Sequence, residues 1–294
     1  MDLNLKDRFG GPRKAGRPPR RAAYALPTMF TAGNIFLGFI AILRAFQGAM
    51  AASSGNLGAN RHFEVAAIAI GVAVVLDGLD GRIARMTNTV SDFGREMDSL
   101  ADVITFGLAP AVLAYAWGVQ FVPPVLRNLD HRVGYFISFV YLLCGAARLA
   151  RFNVQTNPIP KNPGRPDRKY FIGLPIPAAA AIVAAIVFAC DSIPLQWWVW
   201  SAMWLALLAG ISFLMVSTWR YPSFKDIHLV RPRSPLTIIL IAALFYLIWM
   251  FPQPVLLGLS SLYVSTGILI RAGGIIRRRF RHHPPPPQPE HQIG

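Results

Sequence analysis

The sequence predicts an all-α protein, a polytopic membrane helical bundle of about eight transmembrane helices. Of its 294 residues, 54% are hydrophobic and only 15% are charged, and the charges fall in short islands between apolar runs. Soluble domains average about 25% charged residues, whereas an apolar run of about 20 residues is long enough to cross a bilayer. The composition therefore excludes an ordinary soluble enzyme.

Eight apolar runs follow one another along the chain. Residues 1–26, which are basic and contain several Pro and Gly, precede the first run and are predicted to form a disordered cytoplasmic arm. A basic, proline-rich tail at 272–294 follows the last run, so the transmembrane catalytic domain is predicted at 27–271. The last two runs are short, and Pro252-Gln253-Pro254 between them predicts a tight hairpin. The predicted spans are 27–47, 63–86, 97–119, 133–152, 174–190, 197–217, 236–251 and 254–271.

Positive charge is distributed unevenly between the two sides of the predicted bundle. Of the 29 Lys and Arg residues, 25 fall on one side when the spans alternate in direction. Because Lys and Arg are retained on the cytoplasmic side, the pattern predicts a multi-pass protein of the cell inner (cytoplasmic) membrane with both termini inside. The net charge of +15 is explained by Lys and Arg that are retained on the cytoplasmic side, next to anionic lipid. No nucleic acid partner is therefore expected. The remaining basic residues are Arg44, Arg61, Arg127 and Arg132.

Six of the 14 acidic residues lie in one short stretch, at the inner ends of the second and third runs. Asp77 and Asp80 are three residues apart, and Asp98 and Asp102 are four apart, so each pair lies on one face of its helix. Asp77 and Asp102 are both about 12 Å from the intervening turn, because a helix rises 1.5 Å per residue. The two pairs are therefore expected to converge at one depth. The six residues are Asp77, Asp80, Asp92, Glu96, Asp98 and Asp102.

These two aspartate pairs predict a site for divalent cations. Carboxylates are costly inside membrane helices and commonly mark a functional pathway. Mg²⁺ and Mn²⁺ prefer hard oxygen ligands that are shared with substrate phosphates, so we expect one of these ions, and two per site. The alternative is that the aspartates are helix caps or partners of neighbouring arginines. Asp92 and Glu96 are interpreted in that simpler way, as a cap and a solvated charge.

The same stretch carries a motif. Asp77-Gly-Leu-Asp80-Gly81-Arg-Ile-Ala84-Arg85 is followed, after eight residues, by Gly94-Arg-Glu-Met-Asp98-Ser-Leu-Ala-Asp102. It resembles the signature of the CDP-alcohol phosphatidyltransferases, D-x-x-D-G-x-x-A-R and then G-x-x-x-D-x-x-x-D, with every fixed position filled. Small residues leave room beside the aspartates for a charged ligand, and Arg85 can meet a phosphate.

The resemblance implies a helical membrane bundle with a six-helix core, usually a homodimer. It implies transfer of a phosphatidyl group from CDP-diacylglycerol to an alcohol, with CMP as the leaving group. Asp102 would be the general base as well as a metal ligand, together with Asp77, Asp80 and Asp98. The motif residues that would contact the donor are Gly81, Ala84, Arg85 and Gly94.

Further stretches resemble the bacterial and archaeal phosphatidylserine synthase branch of that family. They lie at 27–34, 144–153, 171–177 and 217–225. Their polar residues would bind the two substrates: Thr31 and Asn34 the CDP-diacylglycerol, and Arg148, Arg151 and Asn153 the carboxylate of L-serine.

Simpler or different roles are open for four of these five side chains. The arginines could anchor a span at the cytoplasmic surface, or they could bind a phosphate. Glycerol 3-phosphate and inositol phosphate would use that chemistry and therefore remain alternative acceptors, and choline is a further alternative. Thr31 and Asn34 could serve only in helix packing.

A cation transporter is the rival from another class of protein, because acidic residues in membrane helices often line ion pathways. A transporter would predict charged or broken-helix features across the midplane, often in two repeated halves. The acidic residues instead gather at the cytoplasmic ends of two helices, and the motif occurs once. The sequence therefore favours phosphatidyl transfer.

Overall fold

The computed structural model describes residues 21–55, 57–87, 92–122, 127–156, 170–222 and 235–280. These ranges contain nine α-helices, one π-helical turn and two short strands. The α-helices are α1 Arg21–Ser53, α2 Arg61–Thr87, α3 Asp92–Asp102, α4 Ala109–Gly118, α5 Arg127–Thr156, α6 Ile176–Ala189, α7 Trp198–Val216, α8 Pro235–Met250 and α9 Pro252–Phe280. The π turn is Val103–Leu108, and the strands are β1 Tyr170–Ile172 and β2 Arg220–Pro222.

The helices confirm the predicted polytopic membrane bundle. Six apolar helical stretches of the described chain are long enough to cross a membrane. The third of them, Phe93–Gly118, combines α3, the π turn and α4 in one continuous span. The predicted fifth and seventh spans correspond to α6 and α8, which are apolar but shorter, at 14 and 16 residues. The chain is therefore a multi-pass membrane protein.

Small residues bring α1 and α2 close together along their length. Ala41 and Ala45 of α1 and Ala66 and Ala73 of α2 are all fully buried. A Cβ at Gly48 would overlap the ring of Phe63, so only glycine fits at that crossing. Small residues are the usual means of close helix approach in membranes, where lipid offers no hydrophobic driving force between helices.

The two strands were not predicted. They form an antiparallel pair in which Phe171 is opposite Tyr221, and they join the start of α6 to the end of α7. Gly173, which follows β1, has φ +77° and donates its N–H to the carbonyl of Trp219 at 2.8 Å. A side chain there would be strained and would meet the carbonyl oxygen of Met215. Strands of three residues are too short to produce a readable alternation pattern.

Three boundaries differ from the predictions. Helix α1 begins at Arg21 rather than at 27, because the Ala-rich residues before Pro27 are good helix formers. Helix α9 continues past 271 to Phe280, where Arg and Ile extend it without a proline. The predicted Pro252-Gln253-Pro254 hairpin is wrong, since these residues form the first turn of α9, where proline is tolerated. Residues 1–20 and 281–294 of the predicted arm and tail lie outside the described residues.

Candidate active site

Three of the four predicted metal ligands meet in space. Asp77 of α2 and Asp98 and Asp102 of α3 each place one carboxylate oxygen within 4.8 Å of the other two. The predicted convergence of the second and third spans is thus confirmed for these three side chains. Asp80 lies in α2, three residues after Asp77, and its side chain lies outside the described part.

The three carboxylates differ in their exposure. Asp102 is buried, with 9% of its surface exposed, whereas Asp77 and Asp98 are half-buried. The cluster therefore has one deep member and two members nearer to solvent. Glu96, on the same helix as Asp98, is exposed, in keeping with its interpretation as a solvated charge.

The π turn begins at the residue after Asp102. Its widened geometry is shown by the N–H of Ala109, which donates to the carbonyl of Ile104, five residues back. The hydroxyl of the fully buried Thr105 donates to the carbonyl of Asn34 in α1 at 3.0 Å. The hydroxyl of Tyr141 in α5 donates to the carbonyl of Phe106 at 3.1 Å. These two bonds attach the third span to α1 and α5 immediately beyond Asp102. The location of the π turn next to Asp102 is in keeping with the frequent occurrence of π turns at functional sites.

Close packing supports the attachment to α1. A Cβ at Gly38 would overlap both the hydroxyl and the backbone of Thr105. Glycine at this position therefore permits the contact that brings the carbonyl of Asn34 to Thr105. Neither Thr105 nor Tyr141 stood out in the sequence, because each is a single polar residue in an apolar run.

The predicted donor-binding residues of α1 lie at the same end of the bundle. Thr31 is 5% exposed and Asn34 is 2% exposed. Among the described residues, the side-chain oxygen of Asn34 has no hydrogen-bond partner, although it is buried. A buried acceptor without a partner is costly, so this oxygen is suited to a donor group on a ligand. Gly94 lies in α3 and is half-buried.

The remaining predicted donor contacts are in the last turns of α2. The backbone of Gly81, Ala84 and Arg85 is helical, since α2 continues to Thr87. The side chains of Ala84 and Arg85 lie outside the described part of the chain. A role for Arg85 toward phosphate stays a prediction.

Arg148 and Arg151, which were predicted to share one role, differ in their burial and in their contacts. Arg148 is 8% exposed and interacts electrostatically with Asp102. Its Nε has no hydrogen-bond partner among the described residues. The guanidinium of Arg151 instead donates to the carbonyl of Val216 at 3.0 Å and to those of Ile172 and Ser217 at 3.5 Å. Arg151 therefore connects α5 to β1 and to the end of α7.

Asn153 also makes a contact within the protein. Its amide donates to the hydroxyl of Ser99 at 2.8 Å, and Ser99 follows Asp98 in α3. This bond joins the end of α5 to the helix that carries two of the three clustered carboxylates. Arg148 and Asn153 thus both make contacts that lead toward the aspartates, Asn153 through Ser99 and Arg148 through its electrostatic interaction with Asp102.

The chemistry of this cluster suits a divalent cation. Three carboxylate oxygens within 4.8 Å of one another form a hard oxygen set of the kind that Mg²⁺ and Mn²⁺ accept. The deep carboxylate, Asp102, lies on the side of Arg148, so the site combines a negative cation-binding region with a buried cation. Such a pairing can bind a substrate that carries both phosphate and carboxylate groups.

Comparison with known proteins places this geometry in context. Residues 24–212 match the model of the CDP-alcohol phosphatidyltransferase family. A CDP-diacylglycerol–serine O-phosphatidyltransferase of Helicobacter pylori is 35% identical over 252 residues, which cover 85% of this chain and 92% of that protein. The enzyme of the same name in Bacillus subtilis is 34% identical over 200 residues, covering 68% of this chain and 91% of that protein.

An archaeal protein is similar to the same degree. The archaetidylserine synthase of Methanothermobacter thermautotrophicus is 35% identical over 200 residues, which cover 67% of this chain and 70% of that protein. The family match includes α2 and α3, which carry the three clustered aspartates, and α5, which carries Arg148. The chain belongs to the CDP-alcohol phosphatidyltransferase family.

Proposed function

We propose that this protein transfers the phosphatidyl group of CDP-diacylglycerol to the hydroxyl of L-serine, giving phosphatidylserine and CMP. The observation that carries the proposal is the cluster of Asp77, Asp98 and Asp102 beside the buried Arg148. Relatives that are 34–35% identical and match most of this chain bear the corresponding enzyme name. The cluster fits the donor pyrophosphate, and Arg148 fits the carboxylate that distinguishes serine from simpler alcohols.

The aspartates are the proposed ligands of the divalent cations that members of this family generally use. Asp77, Asp98 and Asp102, together with Asp80, would hold Mg²⁺ or Mn²⁺, with two ions per site. When bound, these ions neutralise the charge of the donor phosphates and of the departing CMP. The hard carboxylate oxygens of the cluster match the ligand preference of both ions.

Asp102 is the proposed general base. Its carboxylate takes the proton from the serine hydroxyl as the oxygen forms a bond to the phosphorus that carries diacylglycerol. The bond between this phosphorus and the oxygen of the CMP phosphate then breaks, and CMP leaves with the electron pair. A carboxylate is a weak base toward an alcohol, so its position beside the reacting hydroxyl must supply much of the effect. Its burial excludes water that would compete with serine.

The donor is proposed to lie between α1 and the start of the third span. The unpartnered Asn34 oxygen offers an acceptor for an N–H group of the nucleotide, and Thr31 lies one turn before it in α1. The acyl chains would extend into the bilayer beside the bundle. The other proposed donor contacts are Gly81, Ala84, Arg85 and Gly94.

Arg148 is the proposed contact for the serine carboxylate. Its planar guanidinium can bind a carboxylate through two parallel hydrogen bonds. Arg151 and Asn153 were predicted to share this role. Their bonds to backbone carbonyls and to Ser99 support a role in holding α5 in place.

The cellular arrangement follows from the same reasoning. We propose that the protein lies in the inner membrane as a homodimer, with the aspartate end on the cytoplasmic side. Basic segments 1–26 and 272–294 would flank the catalytic domain on that side. Labelling of single cysteines at Glu96 and Glu64 with a membrane-impermeant reagent, in spheroplasts and in inverted vesicles, tests the orientation, and light scattering of the detergent-solubilised protein tests the dimer.

The activity is tested with purified full-length protein, CDP-diacylglycerol and Mn²⁺ or Mg²⁺. Labelled serine, glycerol 3-phosphate, inositol phosphate and choline are offered in parallel, and the lipid product and CMP are quantified. We expect phosphatidylserine and an equal amount of CMP from serine, and neither product after addition of EDTA. Product from glycerol 3-phosphate but not from serine would overturn the acceptor while leaving the reaction type in place. CMP release without any lipid product would overturn the transfer itself.

A further inference from the structure

The hydroxyl of Thr105 forms its hydrogen bond with a different helix. Hydroxyl side chains in helices commonly donate to a carbonyl of their own helix, three or four residues back. The buried Ser212 of α7 does so, since its hydroxyl donates to the carbonyl of Leu208 at 2.7 Å. Thr105 is fully buried and instead donates to the carbonyl of Asn34 in α1 at 3.0 Å. Its hydroxyl therefore joins two helices.

The carbonyl of Asn34 does not need this bond to be satisfied. Residue 34 lies inside α1, where each carbonyl accepts the N–H of the residue four positions later. That residue is Gly38, whose missing side chain leaves the space that Thr105 occupies. Loss of the hydroxyl would thus leave no backbone group of α1 without a partner. The bond from Thr105 contributes to the placement of α1 against the third span.

This contact fixes the axial position of the first span relative to the third. The two spans are separated by one returning helix and run in the same direction, and α1 packs along α3, the π turn and α4. Asp102 lies one turn before Thr105 in the third span. Thr31 lies one turn before Asn34 in α1, and therefore at the depth of Asp102. A slip of one residue between the spans would shift these groups by about 1.5 Å.

The side chain of Asn34 is the group whose position depends on this contact. It is 2% exposed, and its oxygen has no hydrogen-bond partner among the described residues. A buried oxygen of this kind is costly unless a ligand donates a hydrogen bond to it. The side chain leaves α1 at the residue whose carbonyl Thr105 contacts. Any axial displacement of α1 therefore moves this oxygen relative to Asp102.

We propose that Thr105 is a positioning residue that sets the side-chain oxygen of Asn34 against Asp102, at the separation that the donor nucleotide requires. The proposed base and the proposed nucleotide contact are on different helices, and Thr105 joins them. Gly38 permits the close approach. The inference rests on the proposed function and deepens it, because it assigns the alignment of donor and base to a side chain outside the aspartate motif.

The first test is a set of substitutions at position 105 in the full-length protein. Thr105→Val keeps the shape of the side chain but removes the hydroxyl, so the KM for CDP-diacylglycerol should rise about fivefold. The KM for serine should stay within about twofold of wild type. Thr105→Ser keeps the hydroxyl and should have nearly the wild-type KM for the donor. Thr105→Ala differs from Thr105→Ser only by the hydroxyl and should behave like Thr105→Val.

The matched control is Ser212→Ala, which removes a buried hydroxyl that bonds within its own helix. It should leave both KM values unchanged. Equal donor KM values for Thr105→Val and wild type, or for Thr105→Ser and Thr105→Ala, would overturn the proposal. A rise of the same size in the KM for serine would also overturn it, because a general loss of structure affects both substrates. Thermal unfolding of each variant identifies any loss of fold.

A double-mutant cycle with Asn34→Ala tests whether Thr105 acts through Asn34. Asn34→Ala keeps the backbone carbonyl and removes the side-chain oxygen, so it should itself raise the donor KM. In this background, Thr105→Val should have little further effect on the donor KM. Independent, multiplicative effects would overturn the proposal, as would a wild-type donor KM for Asn34→Ala.

Equilibrium binding distinguishes a failure of this inference from a failure of the proposed function. Labelled CDP-diacylglycerol is titrated against wild type and Thr105→Val with Mn²⁺ and without any acceptor alcohol. We expect Thr105→Val to bind the donor about fivefold more weakly. Equal binding by the two proteins, with phosphatidylserine made by the wild type, would overturn this inference alone.

The same titration also covers the other outcomes. A wild type that transfers to a different alcohol would overturn the serine assignment, and the binding comparison would then decide the role of Thr105. A wild type that does not bind CDP-diacylglycerol would overturn both.

Discussion

The third span and the last span of this bundle differ in both enclosure and chemistry. In an 18-residue apolar segment of Phe93–Gly118, 56% of the residues are buried, against 11% in the corresponding segment of Pro252–Gly273. The third span carries Asp98 and Asp102 and is attached to α1 and α5 by buried hydrogen bonds. The last span contacts the rest of the protein along one face, through residues such as Tyr263 and Gly267. The carboxylates of α3 thus lie on an enclosed span, whereas most of the last span is left uncovered by the rest of the described chain.

The largest effect is expected on the third span itself. Asp102→Asn keeps the shape of the side chain but removes the proposed base and a proposed metal ligand, so kcat should fall by about 10³-fold or more. Phosphatidylserine formation measured with labelled serine checks this. Glu64→Gln is the control, because Glu64 is an exposed residue elsewhere on α2, and this variant should keep the wild-type kcat. A near-normal kcat for Asp102→Asn would remove this residue from the base role.

The half-buried members of the cluster should act on metal affinity. Asp77→Asn or Asp98→Asn weakens the oxygen set, so the Mn²⁺ concentration for half-maximal activity should rise by at least about tenfold. Titration of activity with Mn²⁺ after removal of metal by EDTA measures the shift. Glu96→Gln is a matched control, because it changes an exposed carboxylate of the same helix. An unchanged Mn²⁺ requirement in both aspartate variants would contradict the metal site.

The two arginines between these spans should give opposite results. Arg148→Ala should raise the KM for serine by about tenfold or more, since the proposed charged hydrogen-bond donor to the substrate carboxylate is lost. Arg151→Ala should instead lower the free energy of unfolding by about 1–3 kcal/mol, because three carbonyls lose a donor. Steady-state kinetics and thermal unfolding of both variants make the comparison. The reverse pattern would assign the acceptor to Arg151.

A smaller effect is expected from the π turn. Tyr141→Phe leaves the carbonyl of Phe106 without its hydroxyl donor, so the free energy of unfolding should fall by about 1 kcal/mol. Tyr246→Phe on α8 is the control, since Tyr246 is 62% exposed. Denaturation in a defined detergent compares the two variants. Equal stability would show that the hydrogen bond does not hold the turn.

The smallest effect belongs to the outer face of the last span. Leu262 is next to Tyr263 in sequence but is 63% exposed, so Leu262→Ala should change stability by no more than about 0.5 kcal/mol and leave the serine KM unaltered. The same kinetic assay and unfolding measurement apply. A larger loss of stability, or a rise in the serine KM, would mean that the outer face of α9 contributes to the fold or to the active site.

The acidic cluster could be predicted from the sequence because the residues that form it are close together in the chain. Residues three or four apart share a helix face, and two neighbouring helices with a short turn must bring such faces to one depth. Asp77, Asp98 and Asp102 follow this rule. The fold class could also be predicted, because the length of the apolar runs and the distribution of charge follow directly from the sequence.

The remaining features depend on partners that are distant in sequence. The π turn requires the carbonyl of Asn34 and the hydroxyl of Tyr141, and nothing in residues 103–108 alone distinguishes it from an α-helix. Arg148 and Arg151 have the same local setting, and only the carbonyls of β1 and α7 separate their roles. Tyr263 belongs to no motif, and its ring contact with Tyr221 arises only from the packing of α9 against β2.

The order of these elements along the chain has a consequence for biosynthesis. All the carboxylates of the cluster have been made once α3 is complete, and Arg148 follows in α5. Helix α9 is the last of the described helices to be made, and only Phe251 separates it from α8. Domains fold from the amino terminus during synthesis, so a ribosome that has just released α7 into the membrane leaves a nascent chain that already holds the carboxylates and Arg148 but still lacks α8 and α9.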